Sequence, residues 1–344
     1  MTKKMKILYG IQGTGNGHIS RGRVLAKKLA EYPELVITYL FSGRKKEDFF
    51  DMEVFGDFLH YDGLTFITKN GKVDNFSTAK KNNIFKFFND IKQLNCHDYD
   101  LIITDFEPVT AWAAKKKKMP VLGIGHQYAF GENTPLAGDN YFTRLIMRKF
   151  APAEHSFGLH WHQYSDNILP PIIDTNMKNS GQNKHVLVYL PFENQQKITT
   201  MLQQVPNVNF LQYSPELTDE AQANVQLRKT NYAGFKADLQ LASGVICNSG
   251  FELISECLHL GLPLLTKPLN GQMEQHSNAL ALQQLNYATV VDRLTTVNIQ
   301  AWCSQVNNQV VKPLPDVAAA IANAIVKNQW QDAKQLSTEL WQAS

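Results

Sequence analysis

Cysteine is scarce in this sequence. There are four, Cys96, Cys247, Cys257 and Cys303, and no two are spaced as a CxxC pair. A disulfide framework or a cysteine zinc site is therefore not expected, and the usage fits a reduced, cytoplasmic setting. Long apolar runs are also missing, since nothing approaches the ~18 uninterrupted apolar residues of a membrane-spanning helix. The opening stretch MTKKMKILYG passes directly into strand-like sequence, so it is not expected to act as a secretory signal. Charge of one sign does not dominate. The net charge is +3, and no basic stripe carries interleaved stacking residues, so no nucleic acid partner is expected. The charge is nevertheless uneven: residues 1–165 hold 23 Lys and Arg against 17 Asp and Glu, and residues 166–344 hold 11 against 14. The first half can thus attract an anionic partner or surface.

What is present suffices for two cores. The 344 residues are 44% hydrophobic and 10% aromatic, which excludes a disordered chain. The length is about twice the ~150 residues of a typical domain. Short apolar runs at 6–12, 36–43, 101–104 and 121–124 read as strands, with helices at 18–32 and 108–117. A stretch rich in Pro, Asn, Ser and Gly at 165–184 reads as a linker. The alternation then resumes, with strands at 186–190, 208–213, 244–247, 263–266 and 288–291. Helices are expected at 193–204, 250–260, 275–285, 317–327 and 330–341. No internal sequence repeat is visible. Strands alternating with helices predict an α/β protein of two doubly wound parallel sheets facing a cleft. The expected division is 1–165, a linker at 166–184, 185–328, and a last helix at 329–344 crossing back to the first domain.

Gly10-Ile-Gln-Gly13-Thr-Gly15-Asn16-Gly17-His18 follows the first strand and opens the first helix. Glycines let a backbone approach a ligand, and helix N-terminal amides suit an anion. The dinucleotide pattern GxGxxG fails, because its sixth position is His18. No acidic residue ends the second strand, and no GK[ST] is present. A tight strand-to-helix turn explains the glycines equally well. His18 is either part of that turn, as a helix cap, or an ionisable ring at the sheet edge where such folds bind ligands.

The second informative stretch is Asn248-Ser249-Gly250-Phe251-Glu252-Leu253-Ile254-Ser255-Glu256. Gly261-Leu262-Pro263 follows, and then Gln272-Met273-Glu274-Gln275-His276-Ser277-Asn278-Ala279. A strand ends, the chain turns at Ser249-Gly250, and a helix begins whose free amides can hold a diphosphate. Glu252 and Glu256 share one helix face, and a carboxylate can accept from both hydroxyls of a ribose. Ser249-x-x-Glu252 also matches a capping box, so Glu252 is read as cap or sugar contact. Gln275 and Asn278 are neutral groups suited to sugar hydroxyls.

With these residues in view, the sequence resembles glycosyltransferases of the GT-B architecture, two facing Rossmann-like domains, and in particular the MurG-like, family 28-type group. The resemblance rests on Gly13-Thr-Gly15-Asn16-Gly17-His18 and on Ser249-Gly250 with Ser255-Glu256, Gly261-Leu-Pro263, Gln275 and Asn278-Ala279. It implies a nucleotide-sugar donor, UDP-linked, held mainly by the second domain. Glu256 would take the ribose, and Ser249-Gly250, beside Asn248, the diphosphate. Gln275, with Gln272 and Asn278, would contact the sugar or support its loop. It also implies inverting transfer without metal or cofactor to a saccharide or lipid-linked acceptor, in cell-envelope or glycolipid synthesis. Glu274 stands where the MurG-like proteins carry glutamine, and Leu190-Pro191-Phe192-Glu193 replaces a glycine-rich loop. The same fold also serves nucleotide-sugar 2-epimerases and admits a non-catalytic binding partner.

Inverting transfer needs a base. His18, Asp105 and His126 all end predicted strands or open helices at one sheet edge, and each has a bland alternative as a cap or a loop residue. Asp105 can also orient a neighbouring histidine. Arg21 and Arg44 can neutralise phosphate, although a solvated arginine is the commoner outcome. The basic, aromatic segments 78–93 and 141–150 are read either as packing into the core or as peripheral contacts with the inner face of a membrane.

Overall fold

A computed structural model describes residues 4–65, 68–69, 72–73, 83–131, 133–137, 147, 149–182, 184–305 and 313–343. Segments 78–82, 141–146 and Arg148 of the two basic aromatic stretches lie outside the described residues.

The first half contains strands β1 (Met5–Gln12), β2 (Leu35–Ser42), β3 (Phe58–His60), β4 (Thr68–Lys69), β5 (Lys72–Val73), β6 (Leu101–Asp105), β7 (Val121–Gly125), β8 (His155–Leu159) and β9 (Ile168–Leu169). Its helices are α1 (Asn16–Leu29), α2 (Ile84–Gln93) and α3 (Pro108–Lys117). Seven strands form one sheet in the order β3-β2-β1-β6-β7-β8-β9, every pair parallel, and β4-β5 is a separate antiparallel pair. The last six residues of β1 and all of β6 and β7 are buried. This is why their sequences read as continuous apolar runs rather than alternation.

The second half contains β10 (His185–Tyr189), α4 (Gln195–Gln203), β11 (Phe210–Ser214), β12 (Glu220–Gln222), β13 (Val225–Lys229), α5 (Tyr232–Leu239), β14 (Ala242–Asn248), α6 (Phe251–Leu260), β15 (Leu264–Lys267), α7 (Met273–Gln284), β16 (Thr289–Val290), α8 (Thr296–Gln305), α9 (Val317–Val326) and α10 (Ala333–Gln342). Its sheet runs β12-β13-β11-β10-β14-β15-β16, and only β12-β13 is antiparallel. In each sheet the strand order reverses beside the first strand, between β1 and β6 and between β10 and β14. Ligands of open α/β sheets bind beyond the carboxyl ends at such points.

A stretch read as linker belongs to the first sheet. Ile168 and Leu169, taken as the start of the linker, are fully buried and pair with β8, completing the first sheet. Ser337 Oγ and Trp341 Nε1 of α10 donate to the Ile168 carbonyl at 2.6 and 2.7 Å, so the last helix packs on the first sheet's edge. One hydrophobic cluster runs through both halves and includes Ile11, Ile19, Trp161, Phe251, Ile254, Ile321 and Leu340.

Candidate active site

Helix α1 opens at the N-cap Gly15, so His18 is its third residue and no cap. Its ring turns back toward the carboxyl end of β6, where Asp105 is fully buried. His18 Nδ1 lies 2.7 Å from Asp105 Oδ1. Asp105 caps nothing, because α3 is capped by Glu107, whose carboxylate accepts from Val109 N at 2.9 Å and Thr110 N at 2.7 Å. Arg21 follows one turn after His18. It is 1% exposed, not solvated, and its Nε and Nη2 donate to the two Asp105 oxygens at 2.8 and 2.5 Å. Burial alone would raise the Asp105 carboxyl, but Arg21 and His18 together outweigh it and hold Asp105 below the usual carboxylate range.

The second sheet closes on this cluster. Arg21 Nη1 forms an ion pair with Glu252 in the first turn of α6. The capping-box reading of Glu252 is thus corrected: α6 has the N-cap Gly250 without a side-chain cap, and Ser249 Oγ bonds Thr266 Oγ1 at 2.9 Å instead. Ser249 is fully buried and lies one residue before the N-cap, so its hydroxyl caps nothing. The first amides of α6 are consequently free of side-chain partners, the arrangement that suits an anion.

His126, a candidate base in sequence, is instead fully buried between the two sheets. Its Nδ1 is 2.8 Å from the Leu159 carbonyl and its Nε2 is 2.6 Å from Asn278 Oδ1. Phe251 stacks on the ring at 3.9 Å. Burial lowers its basicity. Both partners are acceptors, so a neutral ring donates to one of them; buried between the sheets, His126 is placed to join them and not to accept a substrate proton. Asn278, whose Nδ2 also donates to the Ser249 carbonyl at 3.0 Å, is the other half of that joint. Gln275 Oε1 accepts from Leu269 N at 2.9 Å, which holds the loop before α7.

The remaining candidates divide. Asn16 Oδ1 accepts from Arg44 Nη2 at 3.1 Å, and Arg44 Nε also donates to the Gly13 carbonyl, so Arg44 braces the glycine loop. Glu256 is buried and ion-paired with Lys236 of α5. Glu193, in the loop that replaces the glycine-rich one, pairs with Lys267 at 2.6 Å. Asn248 Oδ1, Gln127 Oε1 and Gln272 Oε1 are buried at this junction without a protein partner. Orphaned polar atoms of this kind mark where a ligand or water belongs. Sequence reasoning missed Phe251, Gln127 and Lys236. Gln127 Nε2 donates to Glu274 Oε2 across the cleft at 3.0 Å, and its only signal was adjacency to His126.

Two mainly parallel α/β sheets meeting at their carboxyl edges give the two-domain GT-B architecture. The chain belongs to glycosyl transferase family 1, whose family model matches residues 5–307. Among solved structures it is similar to the kitacinnamycin glycotransferase, at 12% identity and TM-score 0.62 over 99% of both chains. It is also similar to LpCGTa in complex with UDP, at 14% identity and TM-score 0.59 over 98% of both chains. Acinetobacter baumannii MurG is similar at 15% identity and TM-score 0.54, over 98% of this chain and 99% of that one. No curated protein matches the sequence. The family sets aside the epimerase and binding-partner readings.

Proposed function

We propose that this glycosyltransferase moves a sugar from a nucleoside-diphosphate sugar, UDP-linked as the UDP complex of a neighbour suggests, to an acceptor hydroxyl with inversion. The observation that carries this reading is the 2.7 Å contact of His18 Nδ1 with Asp105 beside the open amides of α6. If His18 carries its proton on Nδ1, toward Asp105, Nε2 is left as the base for the acceptor. The α6 amides stabilise the departing diphosphate without a metal. Gly13, Gly15, Asn16 and Gly17 form the near wall of the donor site, and Asn248, Ser249, Gly250 and Gln272 form the far wall. Glu256 takes the ribose once Lys236 releases it, and Gln275 and Asn278 hold the surrounding loop and joint. Arg21 offsets the charge of Glu252, which would otherwise repel a diphosphate at the α6 amides.

The acceptor side fits an amphiphile. A cavity of about 360 Å³ is lined by Tyr128, Phe130, Leu136, Met147 and Met273 with the cations Lys115 and Lys149. Helix α2 exposes Ile84, Phe85 and Phe88 while burying Phe87 and Ile91, so part of this basic aromatic segment faces outward and part packs inward. A lipid-linked acceptor of the cell envelope, met at a peripheral membrane contact, accounts for both features. The test is His18→Gln. Turnover should fall by about 10²–10⁴-fold while calorimetric UDP affinity stays within a few-fold. Near-normal turnover would remove His18 as the base, and retained anomeric configuration by NMR would overturn single displacement.

A further inference from the structure

Glu252 belongs to the second sheet, yet its carboxylate is committed to the first. We propose that Glu252 is a positioning residue for the histidine base: by holding Arg21 Nη1 it keeps the His18 proton on Nδ1 and leaves Nε2 free. The inference rests on the reading of His18 as the base.

His18 Nδ1 has two competing neighbours, the acceptor Asp105 Oδ1 at 2.7 Å and the donor Arg21 Nη2 at 3.0 Å. One ring nitrogen cannot satisfy both. If Nδ1 carries the proton, Asp105 accepts it and Nε2 presents a lone pair to the acceptor. If Arg21 donates to Nδ1, the proton resides on Nε2, the ring's one lone pair is taken by the guanidinium, and none faces the acceptor hydroxyl. The guanidinium therefore decides the tautomer, and its surroundings decide the guanidinium. Arg21 is 1% exposed and Asp105 0% exposed, so bulk water does not replace a missing partner. With Glu252 present, two carboxylates share one guanidinium, and the cluster beside the ring keeps a surplus of negative charge that favours Nδ1–H toward Asp105. Without Glu252, Asp105 alone offsets the Arg21 charge, so a proton on Nδ1 beside Nη2 is less favoured and Nη2, already 3.0 Å away, competes to donate to the ring.

Gly17 is part of the same device. A Cβ built there would lie 2.5 Å from Glu252 Oε2, so a glycine at this point of α1 is what lets the carboxylate reach across. Because Glu252 arrives on α6, the base is set only when the two sheets are apposed.

Long-range ¹H–¹⁵N spectra of the full chain with labelled histidine, above the pH at which an ordinary histidine is protonated, read the tautomer directly. His18→Gln identifies the signal. The wild type should show Nδ1–H at His18. Glu252→Gln, equal in volume but neutral, should move the tautomer ratio toward Nε2–H by about fivefold, the equilibrium worth of one ordinary hydrogen bond. Gly17→Ala, which displaces the carboxylate and keeps its charge, should move it the same way, and Glu252→Asp should restore part of it. An unchanged ratio in folded Glu252→Gln and Gly17→Ala overturns the proposal. Because no substrate is used, this outcome is separate from the turnover test of His18 as base.

Discussion

The glycines at the junction fall into two kinds. A Cβ on Gly13 would lie 2.7 Å from the Ser42 carbonyl and from the Phe49 ring, and one on Gly17 would meet Glu252. Those two are explained by the protein itself. At Gly15 and Gly250, both helix N-caps where glycine is itself favoured, a Cβ would meet nothing within 4 Å, so the protein leaves room there for a ligand. Gly15→Ala and Gly250→Ala should therefore fold with a stability change of at most about 1 kcal/mol. Both should lose about tenfold or more in UDP affinity by calorimetry. Unchanged affinity at either would take that glycine out of the donor site. This sorting was not legible in the sequence, where the loop reads as one feature. His18 and Asp105 were legible because each sits where a strand ends or a helix opens. The pairing of Arg21 with Glu252 was not, because local patterns offered Arg21 as phosphate partner or solvated side chain and Glu252 as sugar contact or cap. Their true partners are in elements distant along the chain.

At the scale of the element, the helices with clear boundaries came through best. The helix-prone segment around 108–117 matches α3, because proline at its start and lysines at its end punctuate it on both sides. Strands β8 and β9 were not read, since HSFGL and a two-residue IL carry too little alternation to register. Helix α3 also shows how a buried cap differs from an exposed one. Glu107 is fully buried and accepts from two amides, from Ser42 Oγ at 2.6 Å and from Thr110 Oγ1 at 2.7 Å. Burial raises its carboxyl despite these donors. In Glu107→Gln the side-chain amide can no longer accept at the Oε2 position, which leaves Thr110 N without its partner. The expected cost is about 1–3 kcal/mol. Urea denaturation should show a lower midpoint with an unchanged slope, and an unshifted midpoint would mean that another group caps α3.

The whole molecule is held together by contacts of unequal depth. His126–Asn278 and Arg21–Glu252 join the sheets at the site, and Lys28 of α1 meets Asp316 before α9 at 3.0 Å. That last pair is partly exposed and worth little alone. Helix α10 contributes more. Trp330 just before it is 4% exposed, Ser337 0% and Leu340 7%, and two of its hydrogen bonds converge on the Ile168 carbonyl. The sequence reading sent this helix back to the first domain but not onto β9, which was read as linker. Removing residues 329–344 uncovers the β9 edge and exposes apolar side chains worth about 1.5–3 kcal/mol each when buried. The truncated chain should unfold at a lower temperature and show a larger radius of gyration in solution scattering, because the first sheet loses its tie to the end of the chain. Its UDP affinity should hold within a few-fold, since the far wall of the donor site stands on β14, α6 and α7. Identical scattering together with an unchanged melting temperature would show that α10 merely rests on the first sheet, and that the contacts at the cleft alone keep the two sheets in place.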